Sequence, residues 1–481
     1  MTHAWASIAG PLVAAAGLLG LAACAGEDAG LDPLVVLVSV DTARADHTSL
    51  YGYERDTTPF LAELAQDALV FEEAYSPTSW TLTAHATMLS GLQPDEHGIV
   101  EEELAFSPEV PLLAEVLSEQ GVATAGFYYP SWVHPRFGMD RGFDLFVKHR
   151  DAAHARENLN AWLDAGGGEG ATFVFIHLFD VHSAEFRADQ PLLYAPPPEY
   201  RGLFDPEAAE QFELRDPQAF WNNIKQPTPR QTEALVALYD AGLRYIDDWL
   251  RDLSDEFADR GYGDRVTWLV TSDHGEALGD RLILADHGGM RPEGLRVPLL
   301  VRPAGGIAAG RPKALASLAD LAPTVAGLFG LDGAAEARGA LGTGIDLLRF
   351  ERGPDEPLRT EKGSQRGVVA PPLMGAAPVR WFELAEQGER PQNMPLGGWW
   401  VDLELDRRGE TELVGSHNQP DRFLAGFQRL VELRRQALAS RLSDPPAPVP
   451  VREPTAEERA FLEALGYAKD GQEPPQGPRE E

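Results

Sequence analysis

Continuous apolar runs alternate with amphipathic segments over the first 350 residues of the chain. The apolar runs are short and bounded by polar residues, so they predict buried β-strands. They cover residues 33–41, 122–129, 172–180, 265–273 and 296–303. The segments between them repeat apolar residues at helical spacing and predict helices at 58–68, 111–121, 156–166, 232–257 and 318–330. This alternation is typical of an α/β fold with a mostly parallel sheet flanked by helices.

The pattern changes after residue 350, where the apolar runs become shorter. Stretches such as "VRWFELAE" and "GWWVDLELD" predict a smaller antiparallel sheet. Residues 421–442 carry an apolar stripe and residues 455–468 begin with a threonine cap, so both segments predict helices. The resulting division is a main domain at 34–350, a C-terminal subdomain at 351–470 and a disordered tail at 471–481.

The N-terminal run "GPLVAAAGLLGLAACAGEDAG" is too short and too rich in Ala and Gly for a membrane span, but it suits a secretory signal. Its "LAAC" end resembles the bacterial lipobox, in which the cysteine is lipidated. We therefore expect a signal peptide at 1–23 and a lipidated tether at 24–33. Cys24 would anchor an exported protein to a lipid membrane of the bacterial cell envelope, periplasmic or at the surface. A plain signal peptide is the alternative, since "MTHAWAS" has no Lys or Arg.

Composition and charge narrow the possible partners. The chain has 43% hydrophobic and 24% charged residues, as in globular proteins. Its formal net charge of −34 argues against nucleic acid as a partner. If the substrate is an anion, the site needs local positive charge, and a bound metal ion is the simplest source. Cys24 is the single cysteine, so disulfides do not stabilise the mature domain, and no oligomeric state is predicted.

Three of the predicted strands end in an acid, namely Asp41, Asp180 and Asp273. In parallel sheets, ligands bind outside the carboxyl ends of the strands. A single acid at this position often caps the next helix. Three acids, two of them followed by His182 and His274, instead predict a metal or catalytic site. Carboxylate and imidazole ligands suit Ca, Mg, Mn or Zn and do not select among them.

The stretch "SWTLTAHATMLSG" places Thr81 at the start of a predicted helix. Thr81 is either an ordinary helix cap or a nucleophile, and no capping-box partner is present because Ala84 lies three residues on. A hydroxyl at a helix N-terminus lies beside free N–H groups that can hold a tetrahedral anion. A metal on this hydroxyl would favour its alkoxide, which could attack an ester. His85, one turn further on, could touch Thr81 or the anion.

Two further histidines lie in loops that follow the predicted strands. His182 in "FDVHS" and His287 in "LADHGGM" could each donate to an anion or protonate a leaving group. Taken singly, an ordinary loop histidine is the more common case for each. The histidines without a strand-end acid beside them are interpreted as structural, namely His47, His97, His134 and His177.

Two long stretches carry a family resemblance. "VVLVSVDTARADHTSLYGYERDTTPFLAEL" through "SWTLTAHATMLSGLQPDEHG", and later "LVTSDHGEALGDRLILADHGGM", resemble sulfatase-like enzymes of the alkaline phosphatase superfamily. The likeness extends in order over about residues 34–470. It implies that residues 34–350 form the catalytic domain.

The resemblance also implies roles for single residues. It makes Thr81 and His85 catalytic, and His182 and His287 substrate-binding. The ligands of one divalent metal would be Asp41, Thr81, Asp273 and His274. A second metal is not expected, because the spacing of Asp180 and His182 is tighter than the D-x-x-x-H of two-zinc relatives.

Thr81 stands where sulfatases carry the Cys or Ser that is oxidised to formylglycine. Threonine cannot follow that route, because its β-carbon already carries a methyl group. A threonine nucleophile resembles the phosphotransferase branches, such as lipoteichoic acid synthase and nucleotide pyrophosphatases. We therefore expect metal-dependent cleavage of a phosphate mono- or diester, or phosphoryl-group transfer, through Thr81.

Two alternatives stay open. One is a sulfuric ester hydrolase that uses Thr81 directly. The other is a non-catalytic surface lipoprotein that binds a metal or an anion. The second is favoured by Thr83, which replaces the motif proline, and by "GFYYPSW", which stands where sulfatases have a "GKWH" turn.

Overall fold

The structure is a computed structural model. It describes residues 33–183, 192–211, 228–280, 284–287, 291–331, 341, 344–349, 358–362, 365–370, 380–384, 399–402, 447–452 and 455. The predicted signal peptide, Cys24 and its tether up to residue 32 lie outside these residues. So do the predicted helix at 421–442, the predicted helix at 455–468 beyond its first residue, and the tail. Those assignments stay predictions.

The strands, in chain order, are β1 (Leu34–Val40), β2 (Leu69–Val70), β3 (Ala74–Tyr75), β4 (Leu104–Ala105), β5 (Ala123–Tyr128), β6 (Leu145–Lys148), β7 (Thr172–Leu178), β8 (Val266–Thr271), β9 (Ala277–Leu278), β10 (Leu284–Asp286), β11 (Leu299–Arg302), β12 (Ala316–Ser317), β13 (Leu358–Lys362), β14 (Gln365–Ala370), β15 (Arg380–Leu384), β16 (Trp399–Asp402) and β17 (Val449–Pro450). The α-helices are α1 (Pro59–Leu64), α2 (Thr81–Ser90), α3 (Pro94–His97), α4 (Leu113–Glu119), α5 (Ala152–Asp164), α6 (Ala208–Gln211), α7 (Pro229–Asp259), α8 (Pro292–Leu295) and α9 (Leu321–Leu328). Short 3-10 turns cover Ala45–His47, Ser49–Tyr51, Ala65–Asp67, Pro135–Phe137, Gly263–Arg265 and Leu318–Asp320.

Within the described residues, the main sheet has seven strands in the order β2-β11-β8-β1-β7-β5-β6. The five strands from β8 to β6 are parallel, as predicted. β11 is antiparallel to β8, and β2 is antiparallel to β11. The apolar pattern identified β11 but not its direction. Between β8 and β11 the described residues contain the short strands β9 and β10 and one helix, the one-turn α8, and not the long crossover helix that usually joins parallel neighbours.

The helices form two layers because alternate residues of a strand face opposite sides of the sheet. On one side, Val36 and Val38 of β1 belong to a core cluster that includes α1, α5 and α7. On the other side, Val35 and Leu37 belong to a cluster that includes α2, α4 and α9. Every residue of β1 is buried. Apart from Ser39, the central strand is therefore apolar, and the acids of the site begin where it ends.

The parallel register determines which residues meet at the carboxyl edge of the sheet. Val40, the last residue of β1, pairs with Leu178 of β7, and Ser39 pairs with Thr271 of β8. The three central strands thus end at nearly the same level. The loops that follow them open onto one shared region, which is where ligands bind in such sheets.

The smaller sheet consists of the antiparallel strands β13 to β16. The prediction of an α/β fold with a mostly parallel main sheet and a smaller antiparallel sheet is confirmed. In the part of the chain that the structure describes, each helix is too short or too polar to cross a membrane.

Candidate active site

Asp41 and Asp273 meet at the carboxyl edge of the sheet, and both are fully buried. Asp41 directly follows β1, and its N–H donates to Leu178 O at 2.8 Å. The next residue, Thr42, has a φ of 58°, a left-handed conformation that non-glycine residues rarely adopt. This sharp turn lets Thr42 N donate to Asp273 Oδ1 at 3.2 Å. The backbone of the first loop thereby ties the two acids together.

The predicted metal ligands come together at this point. Asp41, Asp273 and His274 offer ligand atoms that all lie within 4.8 Å of one another. The hydroxyl oxygen of Thr81 lies 3.2 Å from His274 Nε2 and 3.5 Å from Asp41 Oδ2. We call these four residues the metal group.

The hydrogen bonding of the metal group suits a cation. Asp41 Oδ1 and Asp273 Oδ2 are buried and have no hydrogen-bond partner among the described residues. Buried carboxylate oxygens are normally paired, so two open ones side by side are unusual. Burial, followed by the charge of Asp273, raises the pKa of Asp41 well above its ordinary range. A divalent cation would satisfy both oxygens and remove the repulsion.

His274 is oriented as a metal ligand. Its Nδ1 lies 2.9 Å from Gly275 O, and because a carbonyl oxygen only accepts, Nδ1 carries the proton. Nε2 then keeps its lone pair and faces the Thr81 hydroxyl. A backbone carbonyl that fixes the tautomer in this way is the usual support of a metal-binding histidine. The donor set of two carboxylates, one imidazole and one hydroxyl fits a divalent cation and does not select its identity.

Thr81 is the first residue of α2, and the helix cap itself is Trp80. The Thr81 hydroxyl therefore faces the metal group instead of capping the helix. The first N–H groups of a helix have no partner within the helix, so α2 presents donors and the positive end of its dipole beside this hydroxyl. This placement is what a nucleophile acting on an anionic ester requires.

His85 lies one turn along α2 and is fully buried. Its Nδ1 donates to Thr81 O at 2.8 Å, and its Nε2 lies 3.0 Å from Ser39 Oγ. Burial, followed by the neighbouring His177, lowers the pKa of His85 to about 4. The side chain is therefore neutral near pH 7 and contacts the Thr81 backbone. Its predicted catalytic role stays a prediction, and the contacts favour positioning of the helix start.

His182 and His287 lie together, next to the metal group. The ring of His287 is 4.8 Å from that of His274 and 5.5 Å from that of His182, measured between centroids. Nδ1 of His182 donates to Ser183 O at 2.6 Å. Its ring stacks on Phe179 with centroids 4.2 Å apart. Of the two predicted substrate-binding histidines, His287 thus lies against His274 of the metal group, and His182 lies against His287.

Glu276 joins these two histidines, and sequence reasoning missed it. His182, Glu276 and His287 offer ligand atoms within 4.8 Å of one another, and we call them the imidazole group. Glu276 is fully buried and accepts from Ser183 Oγ at 2.7 Å and from Tyr194 OH. Its position two residues after His274, in "DHGE", was the available signal.

Glu276 is a fixed negative charge in the site. Burial alone would raise its pKa, but the neighbouring His287 and His182 and the hydrogen bond from Tyr194 lower it to about 2. A buried carboxylate beside two imidazoles stabilises positive charge on either ring. The imidazole group can therefore donate to an anionic oxygen.

Asp180 does not join either group. Both of its carboxylate oxygens lie within 3.1 Å of Ala152 N, at the start of α5. Asp41 directly follows its strand, whereas Asp180 lies two residues beyond the end of β7. Of the three strand-end acids, Asp180 thus has the capping role that is common for such a residue.

His177 was interpreted as structural, yet it contacts the metal group. It lies in β7 and is fully buried, with Nε2 at 3.0 Å from Asp41 Oδ2. A histidine within the otherwise apolar run "FVFIHLF" was the signal in the sequence. By contrast, His97 bonds to Thr87 and Ile99 at the far end of α2, as a structural histidine would.

A sequence model of the sulfatase family matches residues 33–331. The chain belongs to the sulfatase family. The predicted sulfatase-like resemblance is thereby confirmed, and the metal group and the imidazole group lie within the matched segment.

This sulfatase-family chain is similar to transferases and to sulfatases. Phosphoethanolamine transferase EptA of Escherichia coli O157:H7 is 27% identical over 271 residues, which are 53% of this chain and 44% of that protein. Arylsulfatase A of Bos taurus is 35% identical over 112 residues, 22% of each chain. The chain thus spans less than half the length of these curated relatives.

Among solved structures, the phosphonate monoester hydrolase of Agrobacterium radiobacter superposes with a TM-score of 0.65 at 19% identity. The superposition covers 88% of this chain and all of that one. At this identity the likeness establishes the fold.

Proposed function

We propose that the domain cleaves a phosphate mono- or diester, or transfers its phosphorylated group, by attack of the Thr81 hydroxyl. The observation that carries this proposal is the position of Thr81 Oγ1 at the start of α2, 3.2 Å from His274 Nε2 and 3.5 Å from Asp41 Oδ2. The similarity to a phosphoethanolamine transferase supports the phosphate class. The methyl group on the Thr81 β-carbon supports direct attack over the formylglycine route.

One divalent metal would be held by Asp41, Thr81, Asp273 and His274. When bound, it supplies positive charge that favours the alkoxide of Thr81 and attracts the anionic ester. The open oxygens of Asp41 and Asp273 support this assignment. The remaining positive potential would come from the N-terminus of α2 and from the imidazole group.

The phosphoryl group is transferred in two steps. In the first, the Thr81 hydroxyl gives its proton to solvent and its oxygen forms a bond to phosphorus, while the bond from phosphorus to the leaving oxygen breaks. His182 or His287 donates a proton to that leaving oxygen. In the second step, water or a second alcohol attacks phosphorus and gives its proton back to that histidine, while the bond from phosphorus to Thr81 Oγ1 breaks and Thr81 takes a proton from solvent. Positioning and charge stabilisation account for most of the rate in such reactions.

Turnover of nitrophenyl phosphate, bis-nitrophenyl phosphate and nitrophenyl sulfate, with Ca²⁺, Mg²⁺, Mn²⁺ or Zn²⁺ in turn, tests the proposal. We expect phosphate esters to turn over, and Thr81→Ala to lower kcat by at least about 10³-fold, as for loss of other nucleophiles. Thr81→Ser keeps the hydroxyl and should retain measurable turnover. Full activity in Thr81→Ala, or no turnover with any metal, would overturn it.

Hydrolysis of a sulfate ester by Thr81 is the second candidate, favoured by the likeness to arylsulfatase A. It would require a higher kcat/KM for nitrophenyl sulfate than for both phosphate esters in the same assays. The non-catalytic alternative predicts tight binding of phosphate without turnover. Thr83, which motivated that alternative, donates to Ile99 O at 2.8 Å and so helps to pack α2.

The proposed location is the bacterial cell envelope, through a lipid on Cys24. The "LAAC" sequence supports this proposal. Incorporation of labelled palmitate by the wild type but not by Cys24→Ser, in a bacterial host, is the expected result. Equal labelling of both forms would contradict it.

A further inference from the structure

His177 connects the sheet to the metal group. It lies in β7 directly beside β1, where its Cα pairs with that of Ser39, two residues before Asp41. Its Nε2 is 3.0 Å from Asp41 Oδ2, and both side chains are fully buried. With a metal ion bound, Asp41 is ionised and its carboxylate only accepts hydrogen bonds, so His177 is then the donor. Such a charge-assisted bond is strong away from water.

This contact distinguishes the two oxygens of Asp41. Oδ2 is held by His177, whereas Oδ1 has no partner among the described residues. A carboxylate held by one oxygen cannot rotate freely, so its other oxygen keeps a fixed direction. We propose that His177 is a positioning residue that orients Asp41 so that Oδ1 is presented to the metal ion. This inference rests on the proposed metal-dependent function.

His177 could instead be a metal ligand itself, because His85, His177 and Asp273 offer atoms within 4.8 Å of one another. The hydrogen bonds of the two histidines argue against a metal ion between these three residues. His85 Nδ1 donates its proton to Thr81 O, and His177 Nε2 donates its proton to Asp41 Oδ2. A nitrogen that carries a proton has no lone pair for a metal, and the second nitrogen of His85 lies 3.0 Å from Ser39 Oγ, so this set offers fewer free ligand atoms than the metal group. The two rings, 4.6 Å apart between centroids, therefore form a hydrogen-bonding layer behind the metal group.

The backbone around His177 is well placed to keep this ring fixed. β7 is paired on both sides, with β1 and with β5. The carbonyl of His177 also accepts from His149 Nε2 at 2.8 Å. A donor on a central strand is positioned more firmly than one on a loop, which is what an outer-shell support needs.

The test compares the metal affinity of the wild type with that of His177 variants. Affinity is measured on the full chain by competition with a chelating dye for Zn²⁺ and Mn²⁺. His177→Phe removes the donor and keeps a ring, and we expect metal affinity to fall roughly 10- to 100-fold. His177→Gln replaces Nε2–H with an amide donor and should recover most of that loss. His97→Phe, a matched buried histidine outside the site, should retain wild-type affinity.

A kinetic readout separates positioning from general damage to the fold. If His177 acts through metal placement, raising the metal concentration should recover most of the kcat of His177→Phe. Should that variant fail to fold, His177→Asn, whose shorter amide cannot reach Asp41, takes its place in both measurements.

Wild-type affinity in His177→Phe or His177→Asn would overturn this inference alone. The same holds if the Gln variant binds as weakly as the Phe variant. Absence of any divalent-ion binding by the wild type would instead overturn the proposed function, and this inference with it.

Discussion

The metal group and the imidazole group lie side by side at the carboxyl edge of the sheet, yet their carboxylates differ in how fully they are hydrogen-bonded. Asp41 and Asp273 each keep one buried oxygen that has no hydrogen-bond partner among the described residues. Glu276 instead accepts from Ser183 and Tyr194 and lies near His287. The first arrangement has unused acceptors, and the second has a saturated acceptor beside imidazoles.

The contrast extends to proton affinity. Burial and mutual repulsion raise the pKa of Asp41 well above its ordinary range. The surrounding donors and positive charges lower that of Glu276 to about 2. One acid therefore gains from a cation, and the other already has its compensation from the protein. Under the proposed function, adjacent acids at one sheet edge serve two tasks, to hold a metal ion and to support donors for an anion.

We expect the largest effect from a substitution that removes one ligand of the metal group. Asp273→Asn removes one ligand charge, so metal affinity should fall by more than about 100-fold, beyond the usual range for outer-shell partners. The metal-free variant should also be more stable than the metal-free wild type, because a buried repulsion is removed. Dye competition and thermal unfolding without metal measure both effects. Asp247→Asn, a buried acid that holds the start of α1, is the control and should leave metal affinity unchanged.

Opposite pH dependences sharpen the same contrast. The pKa of Asp41 is higher in the folded protein than in the unfolded chain, where it is near 4. The metal-free protein should therefore lose stability as the pH rises from about 4 through the raised pKa of the folded state. Asp41→Asn should reduce that loss, and the part that remains comes from acids such as Asp180 and Asp247, whose pKa burial raises to about 7. Glu276 contributes to the stability of the folded state in full at pH values above its ordinary pKa of 4.5. That stabilisation should disappear as pH falls toward the lowered pKa of about 2.

Glu276→Gln should therefore destabilise the protein at pH 7 by about 3 kcal/mol and raise KM while metal affinity stays near the wild-type value. Chemical denaturation across pH, together with steady-state kinetics, measures the two parts. Glu96→Gln, another buried glutamate, should leave KM unchanged. A loss of metal affinity in Glu276→Gln would mean that the two groups are not functionally distinct.

The smallest expected effect concerns the orientation of His182. Phe179 lies between the rings of Tyr129 and His182, stacked at 4.3 Å and 4.2 Å. Phe179→Leu should weaken that support by about 1 kcal/mol, seen as a roughly fivefold increase in KM, whereas Phe179→Tyr should restore it. Phe143→Leu, at a partly buried phenylalanine in another cluster, is the matched control. Equal KM in Phe179→Leu and the wild type would show that the stack does not position His182.

The sequence predicted the parts of the fold and site that depend on local pattern. Apolar runs gave β1, β5, β7 and β8 within a few residues, and α7 starts earlier than predicted because Thr228 caps it with Pro229 next. Asp41 and Asp273 could be found because each follows a strand of a parallel sheet. The two acids meet because β1 and β8 are neighbouring parallel strands that end at the same edge of the sheet.

The remaining site residues depend on relations that local pattern does not contain. Asp180 has the same spacing from its strand run as a ligand would, yet its side chain reaches Ala152 at the start of α5. Glu276 and His177 become functional candidates only when Ser183, Tyr194 and Asp41 are seen beside them. The direction of β11 likewise depends on the connection and not on its apolar residues.

The central claim is that Thr81 becomes covalently attached to the phosphoryl group. The most direct measurement is mass spectrometry of the peptide containing Thr81, after acid quenching of a reaction of metal-loaded enzyme with bis-nitrophenyl phosphate. We predict a phosphorylated threonine at residue 81 in the wild type, with none in Thr81→Ala. Turnover in the wild type with no modified Thr81 at any quench time, and unchanged turnover in Thr81→Ala, would contradict the claim.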